Sequence, residues 1–85
     1  MRIRFDDVAQ WFENVITRQV SFEDADRWAW SIIQAEDTGT LEYEPRSDKD
    51  RIWRGVTYLY GVDMQTAPGV YLHSIEDVKE KFVLL

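Results

Sequence analysis

Ser21-Phe22-Glu23-Asp24-Ala25-Asp26-Arg27-Trp28-Ala29-Trp30-Ser31-Ile32-Ile33 carries both the start of a helix and its buried face. Ser21 followed three residues later by Asp24 is a shortened capping box, with Asp24 standing where Glu or Gln is usual. Ala25, Trp28, Ala29, Ile32 and Ile33 then recur at the spacing that lines one side of a 3.6-residue helix. Gly39 offers a stop.

Outward from this helix the same pattern repeats. Upstream, Val8, Trp11, Phe12, Val15 and Ile16 predict a helix from about Asp6 to Thr17, with Asp6 or Asp7 as its cap. Downstream, residues 38–47 read as a connection, because Pro45 disfavours helix at Glu44 and no apolar period survives. A short extended piece at Leu41–Glu44 is compatible with it. A third helix is expected from Ser47 or Asp48 to about Tyr60, with Ile52, Trp53, Val56, Leu59 and Tyr60 on one face and Gly61 as its stop. Ala67-Pro68-Gly69 marks a turn. Ser74-Ile75-Glu76-Asp77 opens a fourth helix with Ile75, Val78 and Phe82 inward. The expected fold is all-α: a compact three- to four-helix domain over residues 1–85.

Eighty-five residues suit one core, and four Trp, four Tyr and four Phe among 45% hydrophobic residues supply it. Cysteine is absent, which excludes disulfides and thiolate chemistry. The start, Met1-Arg2-Ile3-Arg4-Phe5-Asp6-Asp7, lacks the apolar stretch of a signal peptide, so a cytoplasmic location is expected.

Catalysis needs parts that the chain lacks. It holds one His, His73, and no HExxH, GxSxG or phosphate-loop pattern. The carboxylate pairs fall mostly where helix dipoles favour acids, and the calcium-loop pattern is incomplete. The sequence predicts no enzyme, no cofactor and no metal site.

The net charge of −6 is uneven. Residues 21–45 carry seven acids against Arg27 alone, whereas residues 46–60 set Arg46, Lys49, Arg51 and Arg54 against two Asp. On helix two, Glu23, Asp26, Trp30 and Asp37 fall opposite the apolar face, and Glu42, Tyr43 and Glu44 repeat that chemistry in the connection. These seven residues form the candidate contact set for a basic protein partner: aromatics supply area and acids steer association. An ordinary solvated face, with Trp30 covered by the connection, fits the same residues. Two rival classes stand beside it. A homo-oligomer would use Trp30 or Tyr58. A DNA-associated regulator would need Arg46, Lys49, Arg51 and Arg54 to make a continuous basic face. The acidic total, and about ten residues between helices two and three where a helix-turn-helix has a tight turn, place nucleic acid lowest.

Ser21 through Ala29, Leu59-Tyr60-Gly61-Val62-Asp63, and Gly69-Val70-Tyr71-Leu72-His73-Ser74-Ile75-Glu76-Asp77 together resemble the small, acidic, all-helical immunity proteins that bacteria keep beside secreted toxins. The resemblance implies one-to-one neutralisation of a toxin domain, often a basic nuclease, through that contact set.

Overall fold

The computed structural model describes residues 1–85. All four expected helices are present: α1 (Phe5–Ile16), α2 (Phe22–Asp37), α3 (Lys49–Leu59) and α4 (Ile75–Leu84). The fold is mostly helical but not all-α, which corrects the expected class. A parallel pair joins β1 (Arg2–Ile3) to β2 (Glu42–Tyr43), with Arg2 opposite Glu42 and Ile3 opposite Tyr43. An antiparallel hairpin joins β3 (Gln65–Ala67) to β4 (Val70–Tyr71). The first pair exists because Ile3 is buried, leaving its backbone polar groups in need of partners. Glu44 N–H donates to the Ile3 carbonyl at 3.0 Å, and Glu42 N–H to that of Met1 at 2.7 Å.

The capping boxes form as read. Asp24 N–H donates to Ser21 Oγ at 3.0 Å while the Asp24 carboxylate accepts from Ser21 N–H at 3.2 Å. Ser74 and Asp77 repeat the exchange at 3.2 and 3.0 Å. The start of α1 differs. The helix begins at Phe5, and the Asp7 carboxylate accepts from Arg4 N–H at 2.9 Å, so Asp7 serves from inside the first turn. A 3-10 turn at Arg46–Asp48 runs straight into α3.

Buried Ile3, Val8, Phe12, Val15, Ala25, Ala29, Ile32, Ile52, Val56, Leu59, Val62 and Val78 form one core. Eight expected inward residues fall short of full burial: Trp11, Ile16, Trp28, Ile33, Trp53, Ile75 and Phe82 are half-buried and pack against that core, and Tyr60 is exposed. On α2 the small residues Ala25, Ala29 and Ala35 are fully buried in place of the Trp28 ring. Trp28 instead stacks on Trp11, ring centroids 5.2 Å apart. Tyr60 is exposed because α3 ends at Leu59, and extended backbone at Tyr60 turns its ring onto Trp30. No helix is long and apolar enough to cross a membrane.

The tightest approach is at Gly55. A Cβ built there would lie 2.4 Å from Val8 Cγ1 and 3.3 Å from Leu85 Cδ1. Gly55→Ala gains about 1 kcal/mol of helix propensity, yet it must push apart a packed contact, which typically costs about 1–3 kcal/mol. The expected result is a lower denaturant midpoint than wild type, read by chemical unfolding. A raised midpoint would show that α1 and α3 are not held this closely.

Candidate functional site

The seven residues of the acidic contact set do not form one open surface. Several of them serve the fold itself. The Glu23 carboxylate accepts a hydrogen bond from the Tyr71 hydroxyl, and that bond holds its pKa below the usual carboxylate range. Asp26 Oδ1 accepts from Gly61 N–H at 2.7 Å, tying α2 to the turn after α3. The Tyr43 hydroxyl donates to Glu36 at 3.0 Å. Glu42 lies 3.7 Å from Arg2, and Glu44 lies 3.3 Å from Arg4 and 3.8 Å from Arg2. Trp30 stacks on Tyr60 with centroids 5.7 Å apart and remains 45% exposed. Asp37 is exposed at the end of α2. Asp63, absent from the contact set, adds to the acids near Gly61. Burial, and then Asp26 and Glu23, push its carboxyl above its ordinary pKa.

The cations sort differently. Arg2, Arg4, Arg27 and Lys79 make ion pairs with carboxylates. Arg18, Arg46, Lys49, Arg51, Arg54 and Lys81 make none. Four of these lie on the 3-10 turn and the first half of α3, and all four are exposed. With Ile52, Gly55, Val56 and Leu59 buried, the outward line of α3 runs through Asp50, Arg54 and Thr57 at about 100° per residue.

Each cation is held differently. The Arg51 guanidinium carbon sits over the Phe5 ring, 3.5 Å from its centroid, and its Nε donates to the Leu85 carbonyl at 3.0 Å. That leaves its terminal N–H groups available. The Lys49 ammonium sits 5.5 Å over Tyr43. Arg54 stands at the centre of the outward line. Tyr58, which the homo-oligomer reading would use, is half-buried against Phe12.

A family model described as YxzC DNA-binding protein matches residues 5–83. The chain belongs to this family. A relative, the uncharacterized protein YxzC of Bacillus subtilis (strain 168), is 28% identical over 68 residues, covering 80% of this chain and 50% of the relative. The chain therefore spans about half the length of that curated relative. No solved structure matches.

The family match overturns the resemblance to immunity proteins, and with it the basic toxin as partner. It also overturns the low place given to nucleic acid. The physical reason lies in how the charges are used. Of the acids whose total weighed against DNA, Glu42 and Glu44 are matched by Arg2 and Arg4, while the basic stretch after them makes no ion pair with a carboxylate. The sequence carries no local signal of this, because β1 and β2 are two residues each and lie far apart along the chain.

Tyr43 supplies a test of the surrounding geometry. Burial, and then the Glu36 carboxylate, push its phenol from 10.0 up to about 12. The folded chain keeps this proton after the unfolded chain has lost it. Stability present below the unfolded pKa is therefore lost as pH rises toward 12. Tyr43→Phe is expected to make that alkaline loss shallower and to cost about 1 kcal/mol at neutral pH, the value of one hydrogen bond. Chemical unfolding at neutral and alkaline pH reads both. An alkaline limb unchanged by the substitution would contradict this environment.

Proposed function

We propose that the chain binds DNA, with the 3-10 turn and α3 as the contacting element. The observation that carries this reading is the concentration of Arg46, Lys49, Arg51 and Arg54, all without carboxylate partners, on one exposed segment of an otherwise acidic chain. The description of the family supports the same ligand.

The roles divide by position. Arg46 and Lys49, at the entry to α3, suit phosphate contacts, which position a protein without reading sequence. Arg51 is braced by Phe5 and the Leu85 carbonyl, so little side-chain freedom is lost when it meets a phosphate. Arg54, central on the exposed line of a helix that the major groove can admit, is the candidate for a guanine edge. The proposal assigns binding and no reaction. It does not rest on a helix-turn-helix, since β2 and the 3-10 turn separate α2 from α3.

Three phosphate contacts, from Arg46, Lys49 and Arg51, set the scale. The logarithm of affinity should fall against the logarithm of salt with a slope of about −3, roughly −0.9 for each phosphate neutralised. The experiment is fluorescence anisotropy of labelled duplex DNA across a salt series. Replacing Arg46, Lys49 and Arg54 together by Gln should bring the slope to about −1. Arg54→Ala alone should reduce preference among sequences more than Lys49→Ala does. No binding at low salt, or the same slope in the triple variant, would refute the assignment.

A further inference from the structure

The β3–β4 hairpin has one face on the protein and one face bare. Tyr71 points inward, its ring edge-on to Phe22 and its hydroxyl bonded to Glu23. Side chains alternate across a strand, so Val70 points the other way, and Leu72, the residue after β4, is exposed as well. Met64 joins them, because Leu72 N–H donates to its carbonyl at 2.8 Å. Met64, Val70 and Leu72 are 58%, 53% and 50% exposed. One short turn away, Tyr60 and Trp30 form their stacked pair, 49% and 45% exposed.

From Met64 to Ser74 the chain contains no Asp, Glu, Lys or Arg, although 31% of the whole chain is charged. β3 and β4 pair only with each other, so both outer edges of the hairpin are open. The five side chains present on the order of 500 Å² of mostly apolar area, at the upper end of what monomers carry. With the hairpin tip and an open edge, this approaches the roughly 800 Å² per partner of a specific interface.

We infer that this face is where a second copy of the chain docks, in a two-fold contact. A charged partner finds nothing there to pair with. A second copy brings the same uncharged stretch from Met64 to Ser74, so the two acidic molecules meet along their uncharged segments, with Glu23 on Tyr71 and Asp63 before Met64 beside the contact. Met64, Val70 and Leu72 of each copy would cover those of the other, as an isologous contact requires. Trp30 and Tyr60 would lie at its margin. The surface sits at the C-terminal end of α3, with Arg46 and Lys49 at the other end, so self-association leaves the basic segment free. The inference stands apart from the DNA reading, and its readout contains no DNA.

The test is sedimentation velocity of the full chain from low micromolar to near millimolar concentration. Wild type is expected to shift from monomer to dimer. Leu72→Glu, which places two carboxylates in the contact, should remain monomeric throughout with an unchanged circular dichroism spectrum. Met64→Gln, which adds no charge, should shift the midpoint at least tenfold toward higher concentration and serves if Leu72→Glu fails to fold. Val83→Glu, at the 85% exposed end of α4, should dimerise like wild type. Wild type that stays monomeric overturns the inference. So does a dimer that folded Leu72→Glu and Met64→Gln leave intact, or one that Val83→Glu abolishes.

Discussion

The parallel pairing of β1 with β2 is the constraint on which the rest of the surface depends. It spans only Arg2–Ile3 and Glu42–Tyr43, yet it acts in three ways. It buries Ile3 at 1% exposure in the helical core. It pins the segment that leads into the 3-10 turn, and so fixes where α3 begins. It also lays Arg2 and Arg4 along Glu42 and Glu44. Exposed ion pairs of this kind contribute little to stability, typically about 0–1 kcal/mol. Their consequence here is spatial: acids that would otherwise sit beside Arg46 and Lys49 are matched by cations from the N-terminus.

An acidic total and a cationic contact surface are therefore compatible. The charge of −6 counts carboxylates without regard to their use. Glu23, Asp24, Asp26, Glu36, Asp77 and Glu44 all accept hydrogen bonds from their own chain. Asp24 and Asp77 complete capping boxes, where the helix dipole also favours them. The cost of the acidic excess falls on range and strength. In the proposed DNA contact, long-range attraction would be reduced and an affinity built on four cations would be salt-sensitive.

The helices were legible because their signals are local. Ser21 with Asp24, Ser74 with Asp77, and apolar residues at 3.6-residue spacing mark four helices without knowledge of any partner. The strands were legible only in part: the extended piece at Leu41–Glu44 holds β2, but its pairing with β1 was not legible, because the two strands are two residues each and lie about forty positions apart. Such pairing is decided by Ile3 seeking the core, which no local period records. Trp28, expected on the buried face, shows a related effect. Trp28 sits among the apolar positions of α2, but Ala25, Ala29 and Ala35 set how closely the helix packs, and the ring is left to stack on Trp11. At the site, the basic residues of α3 were visible as a rival set. What sequence did not show was which acids were already engaged, and that decides between an acidic interface and a basic one.

Amide chemical-shift mapping of the full chain titrated with duplex DNA at low salt tests the central claim most directly. The largest changes are expected to cluster at residues 46–54, with smaller ones at Arg2 and Arg4, while Glu23, Asp26 and the hairpin from Met64 to Leu72 stay still. Changes centred on Glu23–Asp37 or on the hairpin, or none at saturating DNA, would contradict it.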